Sequence, residues 1–460
     1  MNPPAKTRHA YHAAHALLPE GWAADVRIEV SAQGEITSVR AGAEAGDAER
    51  LAGPVLPGMP NLHSHAFQRA MAGLTETRGA GDDDFWSWRE LMYRFVARLA
   101  PPQALAVARH LYIEMLKGGY TAVAEFHYVH NQPDGTPYAN PAEMSLAHVQ
   151  AAREAGIAIT LLPALYTYGN FGARPLAARQ LRFRSDPRAV LDLVAAVHAS
   201  APDDPDIRAG VAPHSLRAVD LDGLQDLLAG LHAEAPIHIH AAEQTREVAD
   251  SLAWSGQRPV EWLLEHLPVD PRWCLVHATH LNAAETAALA QSGAVTGVCA
   301  TTEGNLGDGI FPMQDYRASG GRYGIGGDSH VSRSPFEELR LLEYVQRLVH
   351  RRRNLTVGAS PAVGTTLWLE ACAGGAQAVG RAMGALRAGC RADLVVLDGG
   401  HPDLEGRRGD DLANAAVFAG AEGLVRDVMV AGRWQVCGGR HAAEDAARAA
   451  YRIAVAELLA

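Results

Sequence analysis

The sequence of residues 55–65 is Val-Leu-Pro-Gly-Met-Pro-Asn-Leu-His-Ser-His, an apolar run that ends in two histidines separated by one residue. A continuous apolar run is typical of a strand that is buried on both faces of a parallel sheet. Alternate side chains of an extended chain point to the same side, so one cation can bind His63 and His65 together. Residues 55–65 therefore predict a buried strand with candidate metal ligands at its carboxyl end.

Seven similar apolar runs follow this first strand, and amphipathic stretches with helical periodicity lie between them. Alternation of this kind predicts a parallel sheet, and eight such units over about 300 residues fit a closed barrel. An open doubly wound sheet is the alternative, but no Gly-x-Gly-x-x-Gly turn follows the first strand. The predicted fold class is therefore α/β, a (β/α)8 TIM-like barrel. The predicted strands are Val55–His63, Thr121–Tyr128, Ile157–Leu165, Ile207–Val211, Pro236–Ala241, Trp273–Ala278, Ala294–Ala300 and Arg322–Gly327, and examples of the predicted helices are Pro102–Lys117, Pro141–Ala155, Leu221–Ala233, Arg246–Leu267 and Ala283–Ser292.

The segments on either side of the barrel contain short apolar runs separated by glycines, a pattern typical of short strands. Neither segment alone buries enough surface to be stable. Residues 1–53 and 381–460 are therefore predicted to pair into one small β-sandwich beside a barrel at 54–380. A last amphipathic stretch, Ala442–Leu459, is predicted to be a helix that packs on this unit or on a partner.

The overall composition indicates a globular protein and excludes several classes of partner. The chain has 460 residues, of which 48% are hydrophobic, and its net charge of −11 argues against binding to nucleic acid or to an anionic membrane. No apolar run approaches the roughly 20 residues that span a bilayer, and no secretory signal is visible. Five scattered cysteines favour reduced thiols. The protein is predicted to be cytoplasmic, and a homodimer is expected.

Residues that can bind a metal stand at the carboxyl ends of several predicted strands, the face where such barrels carry their active sites. Besides the two histidines of the first strand, His240 lies at the end of the fifth strand, His277 at the end of the sixth, and Asp328 follows the eighth. A single His-x-His pair is usually two ordinary histidines, and Asp328 alone could be a helix N-cap. Their coincidence at one end of the barrel favours a metal site. The predicted ligands are His63, His65, His240 and Asp328.

Three histidines and one carboxylate that leave a position for water form the ligand set of a hydrolytic site. Zinc lowers the pKa of its water from about 15.7 to about 7, so one divalent ion, with zinc expected, would supply hydroxide at neutral pH. Two-metal barrels of this kind usually need a carboxylated lysine on the fourth strand. Residues 213–217, Pro-His-Ser-Leu-Arg, follow that strand and contain no lysine, which favours a single metal.

Three residues are candidates for proton transfer and charge stabilisation. Asp328 can accept a proton from the water and later return it to a leaving amine. His277 can stabilise the charge that develops on a tetrahedral centre. Glu243, three residues after the ligand His240, can carry a proton to the substrate nitrogen, although a glutamate there could also be a surface carboxylate.

Two motifs resemble the amidohydrolase superfamily, and within it the deaminase-like branch with one metal. They are residues 56–65, which contain the His-x-His pair, and residues 389–398, Gly-Cys-Arg-Ala-Asp-Leu-Val-Val-Leu-Asp. A closer resemblance, to the formimidoylglutamate deiminase family, covers nearly the whole chain. It rests on the blocks NLHSHAFQR at 61–69, FWSWRELMY at 85–93, AEFHYVH at 124–130, PHSLR at 213–217, HIHAAEQ at 238–244 and TEGNLGDGIF at 302–311.

The resemblance implies the hydrolysis of N-formimidoyl-L-glutamate to N-formyl-L-glutamate and ammonia, a step of histidine degradation. It also implies that the substrate-binding residues are Gln68, Arg89, Tyr128, His214 and Arg217. These residue types suit a small dianionic substrate, because two arginines can each bind a carboxylate through two parallel hydrogen bonds. Gln68 and Tyr128 can add neutral hydrogen bonds that fix its orientation.

Two other functions stay open at the level of sequence. A deaminase of a purine or another aromatic amine would use the same metal and proton-transfer residues, but its pocket would favour aromatic walls and neutral amide partners over two arginines. A catalytically inactive, metal-free scaffold would typically lack a ligand, whereas every ligand position is filled here. Without the resemblance, Arg89 and Arg217 could each be ordinary surface residues.

Overall fold

The computed structural model describes residues 9–78, 84–420 and 423–460. Within these ranges the strands, in chain order, are β1 His9–Leu18, β2 Gly21–Val30, β3 Ile36–Arg40, β4 Glu49–Arg50, β5 Val55–Pro57, β6 Met59–Ser64, β7 Tyr120–His127, β8 Ala158–Leu165, β9 Ile207–Ala209, β10 Ala212–Pro213, β11 Ile237–Ala241, β12 Trp273–His277, β13 Val295–Val298, β14 Arg322–Ile325, β15 Leu394–Leu397, β16 Val425–Val430, β17 Arg433–Cys437 and β18 Arg440–His441.

The same ranges contain helices that lie mostly between successive strands. They are α1 Phe85–Val96, α2 Pro101–Gly118, α3 Glu143–Ala155, α4 Pro187–Ser200, α5 Leu221–Ala229, α6 Thr245–Ser255, α7 Pro259–His266, α8 Ala283–Ser292, α9 Ala300–Leu306, α10 Met313–Ala318, α11 Pro335–His350, α12 Val363–Ala378, α13 Asp410–Phe418 and α14 Glu444–Leu459, with short 3₁₀ helices at Ala66–Met71, Ala178–Phe183 and Pro402–Leu404.

Strands β6 to β14 form the wall of a closed parallel barrel. β6 pairs with β7, β7 with β8, and β8 with both β9 and β10, which are two parts of the fourth barrel strand. β11 to β14 form a second parallel arc. Bridges from Val211 to Ile237 and from Ser64 to Asp328 join the two arcs on both sides. The eight barrel strands of the described residues confirm the predicted (β/α)8 architecture.

One predicted helix, Arg246–Leu267, is in fact two helices, so the prediction of a single helix was wrong. α6 is capped by Gly256, whose φ of 76° is the left-handed conformation that commonly ends a helix. α7 begins at Pro259, because the fixed φ of proline suits the first helical turn and its missing N–H needs no partner there. Helical periodicity alone did not indicate this break.

The N- and C-terminal segments pair with each other beside the barrel, as predicted. Within the described ranges they form one nine-stranded sheet in the order β18-β17-β16-β15-β5-β1-β2-β3, with β4 attached to β1. β5 stands between N-terminal β1 and C-terminal β15, so the two ends of the chain hold each other. The sheet has its own apolar core, which includes Ile28, Leu394 and Met429. The exact domain boundaries, 1–53, 54–380 and 381–460, stay a prediction.

The chain passes from this outer sheet into the barrel at Gly58. The sequence predicts one strand over Val55–His63, whereas the structure assigns β5 to the outer sheet and starts the barrel strand β6 at Met59. A Cβ atom at residue 58 would lie 2.3 Å from Thr121 Oγ1 and 2.9 Å from Asp393 Cβ. Only glycine therefore allows the close approach that this crossing requires.

The C-terminal helix α14 packs on barrel helix α2. The His110 and Tyr451 rings are 4.5 Å apart, and Lys117 Nζ lies 3.1 Å from Glu444 Oε2. The helix thus joins the C-terminal segment to the barrel, while the homodimer expected from the sequence stays a prediction. Among the described helices, none combines the length and apolar composition that a membrane-spanning segment needs.

Candidate active site

The carboxyl ends of the barrel strands bring together the residues that the sequence predicts as metal ligands. His63 lies in β6 and His65 follows that strand, His240 lies in β11, and Asp328 follows β14. The Nε2 atoms of His65 and His240 are 3.2 Å apart, as are those of His240 and His63. Asp328 Oδ1 lies 3.5 Å from Nε2 of both His63 and His65. All four side chains are buried.

Hydrogen bonds on the far side of two rings determine which imidazole nitrogen carries the proton. Nδ1 of His65 donates to the Phe126 carbonyl at 2.8 Å, and Nδ1 of His240 donates to the His214 carbonyl at 2.9 Å. A neutral imidazole with a protonated Nδ1 has a lone pair on Nε2. Burial and the neighbouring histidines hold the pKa of His63 and of His240 well below the ordinary value, so these rings are neutral.

The resulting arrangement fits a divalent cation. The facing Nε2 atoms of His65 and His240 have no proton between them, which is unfavourable unless a cation lies between the lone pairs. Zinc–nitrogen bonds of about 2.0–2.1 Å in a tetrahedral set place ligand atoms roughly 3.3–3.4 Å apart. The separations in this cluster are 3.2–3.5 Å. The donor set therefore suits a metal held by three imidazoles and one carboxylate.

The backbone around the cluster adopts conformations that are uncommon outside glycine. Ala242, His277, Ala278, Asp328 and His330 all have positive φ, between 48° and 67°. Each such residue costs on the order of 1–3 kcal/mol and persists only where the surroundings hold it. These residues stand at or just after the ends of β11, β12 and β14, so the strain is concentrated at the candidate site.

His277 stands beside the cluster, surrounded by carboxylates. Its Nε2 lies 3.6 Å from Glu243 Oε1 and 3.8 Å from Asp328 Oδ2, and its Nδ1 lies 3.2 Å from Glu303 Oε1. Burial lowers the pKa of His277, but these carboxylates outweigh burial and raise that pKa to about 10. Burial raises the pKa of Glu243 to about 7, against the opposing effects of His277 and Arg217. A cationic imidazole thus stands next to a carboxyl group that can exchange a proton near neutral pH.

The five residues that the resemblance implies for substrate binding all line one cavity, whose wall includes members of the metal cluster. Gln68 Nε2 donates to Tyr128 OH at 3.1 Å, and the rings of Tyr128 and His214 are 5.6 Å apart. Arg217 Nη2 lies 3.9 Å from Glu243 Oε2. The structure therefore brings these residues to the cluster.

Arg89, on α1, is the fifth of these residues, and no carboxylate of the described chain pairs with it. Its guanidinium carbon lies 5.4 Å from the Trp86 ring centre and 5.2 Å from that of Tyr93, and Nη2 donates to Tyr166 OH at 3.4 Å. Burial lowers the pKa of Arg89, but Tyr166 and Tyr93 raise it overall, so the group is charged. A half-buried cation that lacks a counter-ion is only partly compensated by solvent, so this cavity favours an anionic ligand.

Sequence reasoning did not assign the aromatic wall of the cavity or two carboxylates behind the site. Glu303 contacts His277, and Asp308 accepts a hydrogen bond from Gln244. Both lie in the block 302–311, so the motif contained the residues without showing their contacts. The aromatic wall consists of Phe85, Trp88, Tyr93, Tyr166 and Phe183.

Comparison with known proteins agrees with this fold and site. The model described as Amidohydrolase family matches residues 55–435, and that described as Formimidoylglutamate deiminase HutF, N-terminal domain, matches residues 8–53. The formimidoylglutamate deiminase of Pseudomonas aeruginosa is 56% identical over 98% of this chain and 99% of that protein. A 5-methylthioadenosine/S-adenosylhomocysteine deaminase of Natronomonas pharaonis is 30% identical over 93% of this chain and 95% of that protein.

A solved structure shares the whole architecture. The crystal structure of an amidohydrolase from Brucella melitensis has a TM-score of 0.94 at 47% identity, covering 98% of this chain and 100% of that one. The chain belongs to the amidohydrolase family. Within that family, the resemblance to formimidoylglutamate deiminases that the motifs indicate is confirmed over nearly the full length.

Gly326 provides a test of how tightly the cluster is packed. A Cβ atom at this position would lie 2.8 Å from His63 Cβ and 3.0 Å from Cys299 Sγ. We expect Gly326→Ala to displace His63 and to weaken metal binding about 10- to 100-fold, measured by competition with a chelator of known affinity. Gly304→Ala is the matched control, because a Cβ there meets nothing closer than 3.5 Å. Wild-type metal affinity in Gly326→Ala would contradict this account of the site.

Proposed function

We propose that this protein is a formimidoylglutamate deiminase, which hydrolyses N-formimidoyl-L-glutamate to N-formyl-L-glutamate and ammonia in histidine degradation. The near full-length similarity to the deiminase of Pseudomonas aeruginosa supports this reaction. The structural observation that carries the proposal is Arg89, a half-buried cation without a carboxylate partner among the described residues, in the same cavity as the metal cluster. A pocket of this kind needs an anionic substrate.

The proposed cofactor is one divalent metal, with zinc as the expected ion, bound by His63, His65, His240 and Asp328. When bound, this ion would act as a Lewis acid that activates a water molecule for attack on the formimidoyl carbon. Imidazole-rich donor sets of this type suit zinc. A single ion is proposed because residues 213–217 contain no lysine that could bridge to a second one.

Three residues are proposed to transfer protons and to stabilise the charge that develops during the reaction. As water adds to the formimidoyl carbon, a C–O bond forms and Asp328 accepts the proton that is released. Glu243 gives one proton to the imino nitrogen as water adds, and it takes up the hydroxyl proton as the C=O bond forms. Asp328 returns the first water proton to the same nitrogen, so that the C–N bond breaks and ammonia leaves. His277, held as a cation, stabilises the negative charge that develops on the attacking oxygen. The 3.6 Å contact between His277 and Glu243 supports their joint action.

Arg89 and Arg217 are proposed to bind the two carboxylates of the substrate. Arg217 lies 3.9 Å from Glu243 and is therefore next to the proton-transfer residues. We assign to Arg217 the carboxylate closest to the formimidoyl nitrogen, and to Arg89 the side-chain carboxylate. Gln68, Tyr128 and His214 would fix the orientation through neutral hydrogen bonds, since burial keeps the pKa of His214 well below its ordinary value.

A deaminase of a purine or another aromatic amine is the second candidate function. The observation in its favour is the wall of aromatic rings, which includes Trp88, Tyr93 and Tyr166. The two arginines favour the dianionic substrate instead, because an uncharged purine would leave Arg89 without a counter-ion and Arg217 with only Glu243, whose pKa is raised to about 7. The test of the proposed function must therefore compare the two substrate classes.

The metal-loaded protein should release ammonia from N-formimidoyl-L-glutamate, with guanine and adenosine as control substrates. We expect kcat/KM for N-formimidoyl-L-glutamate to be at least about 1,000-fold higher, because buried charged groups that stay unpaired strongly disfavour the wrong substrate. Faster release from a purine would support the second candidate. No release from any of the three would favour an inactive scaffold and contradict the proposal.

Metal analysis tests the cofactor. Purified protein should contain about one zinc-like ion per chain, because the buried donor set offers three imidazoles and one carboxylate for a single ion. Chelation should abolish turnover, and added zinc should restore it. Elemental analysis that finds two tightly held ions per active chain would contradict the single-metal site.

Replacement of each arginine by methionine tests the dianion pocket. Arg89→Met and Arg217→Met should each lower kcat/KM by about 30- to 5,000-fold, corresponding to about 2–5 kcal/mol, because one substrate carboxylate stays buried and unpaired. Metal content should not change, since neither arginine is a ligand.

Substrates in which one carboxylate is an amide provide the matched comparison. The loss in Arg89→Met should shrink with the side-chain amide, and the loss in Arg217→Met should shrink with the α-amide, because the charge that each arginine binds is then absent. Wild-type efficiency of both variants towards N-formimidoyl-L-glutamate would show that the dianion pocket is misplaced.

A further inference from the structure

We propose that Glu303 is a positioning residue that holds the His277 ring with Nε2 facing Glu243 and Asp328. This inference rests on the function proposed above and adds a residue to it. Glu303 lies on α9, outside the barrel wall, and the sequence motifs assign it no role. Its proposed effect on the reaction is indirect and passes through His277.

A hydrogen bond from the backbone holds the Glu303 carboxylate in place independently of its contact with His277. Its Oε1 accepts the Cys299 N–H at 2.9 Å, so the side chain folds back over the residue that precedes α9. The same oxygen lies 3.2 Å from His277 Nδ1. Glu303 and His277 are only 4% and 1% exposed, so water does not compete for this hydrogen bond. The Glu303 carboxylate is therefore a rigid hydrogen-bond acceptor for Nδ1 of His277.

This hydrogen bond determines where the other nitrogen points. If the ring turned over, a carbon atom would face the Glu303 carboxylate and the hydrogen bond would be lost. In the observed orientation Nε2 faces Glu243 Oε1 and Asp328 Oδ2, at 3.6 and 3.8 Å. The backbone of His277 itself has a strained φ of 67° and needs support from its surroundings. Glu303 supplies that support from the side opposite the reaction centre.

A metal bound by Glu303 is the first alternative. Ligand atoms of His277, Cys299 and Glu303 lie close enough together to hold an ion. The Oε1 atom of Glu303, however, already accepts the Cys299 N–H at 2.9 Å and lies 3.2 Å from His277 Nδ1, so its contacts are accounted for without an ion. The hydrogen bond from His277 to Glu303 is therefore the better account of this contact.

A purely structural role, as a cap of α9, is the second alternative, and Glu338 offers the matched comparison. Glu338 is also buried, accepts the Thr301 N–H at 3.0 Å and is hydrogen-bonded by the Thr301 hydroxyl. It therefore caps the same helix. Its hydrogen bonds within the described chain involve none of the residues proposed for catalysis. A structural role predicts similar effects for the two glutamates.

The first experiment compares Glu303→Gln with Glu338→Gln. Glutamine can still accept the Cys299 N–H, but it lacks the carboxylate charge that holds the His277 N–H. Glu303→Gln should keep its metal, change KM less than about threefold and lower kcat about 10- to 100-fold. Glu338→Gln should change kcat less than about threefold. Equal effects of the two variants on kcat would overturn the proposal.

A double-mutant cycle with His277→Asn tests whether Glu303 acts through the histidine. In the His277→Asn background, Glu303→Gln should lower kcat by less than about threefold, because the group it positions is gone. Losses that multiply would overturn the proposal. If Glu303→Gln does not fold, Glu303→Asp must show the same selective loss of kcat. Aspartate keeps the negative charge, but its side chain is one methylene shorter, so the carboxylate lies farther from His277 Nδ1.

Nitrogen-15 NMR of the histidine side chains provides a measurement that does not need turnover. The His277 signals are identified by their absence in His277→Asn, and Glu303→Gln should shift the Nδ1 signal while Glu338→Gln leaves it unchanged. An unchanged Nδ1 signal in Glu303→Gln would overturn the proposal. A shifted signal in a protein that is inactive on N-formimidoyl-L-glutamate would support the contact and contradict the proposed function instead.

Discussion

The hydrogen bonds that close the barrel between β14 and β6 also assemble the metal cluster. The His65 N–H donates to the Asp328 carbonyl at 3.0 Å, and the Asp328 N–H donates to the His63 carbonyl at 3.0 Å. Asp328 is therefore joined to His63 and His65 twice, through backbone hydrogen bonds and through the side-chain contacts of its Oδ1 atom. His240 belongs to the same arc as β14 and joins the cluster through the register of β11 to β14. An open sheet would leave part of the donor set on each arc, so closure of the fold and binding of an ion favour each other.

Buried glutamates hold the loops that this closure places at the strand ends. Glu125 accepts the Ala66 N–H at 2.8 Å and the Ser64 hydroxyl at 2.5 Å, and so fixes the chain on both sides of His65. Glu247 accepts two successive N–H groups in the loop that carries Glu243. Hydrogen bonds to a charged acceptor contribute about 1.5–3 kcal/mol each, but burial of the carboxylate opposes them and raises the pKa of Glu125 to about 7. The strained loops of the site are thus held by carboxylates that are themselves costly to bury. Their hydrogen bonds keep the loops in place, and a metal cluster of fixed geometry requires loops that do not move.

Sequence reasoning identified the barrel and the cluster because both depend on local patterns. Buried parallel strands are continuous apolar runs, and ligands at strand ends follow those runs directly, as His63 and His65 do. The crossing at Gly58 was missed because the residues on both sides of it are apolar, and only the packing of Thr121 shows that the chain changes sheets there. Glu303 was missed for a related reason. Its contact joins α9 to the end of β12, and no periodicity in the sequence shows which elements pack together.

The chemistry and the choice of substrate depend on different parts of the fold. The cluster residues lie in or next to barrel strands, whereas Gln68 lies in the 3₁₀ helix after β6, Arg89 in α1 and Arg217 after β10. Arg89 has no carboxylate partner in the described chain, and Arg217 is 3.9 Å from Glu243, whose raised pKa makes it a partly neutral partner. The cavity therefore carries surplus positive charge at its substrate-binding residues. A substrate with two carboxylates gives each guanidinium an ionised partner, whereas a neutral purine leaves Arg89 unpaired and Arg217 with Glu243 alone. Because an unpaired charge in the cavity is costly, segments outside the barrel wall can determine the specificity without disturbing the barrel closure that holds the metal cluster.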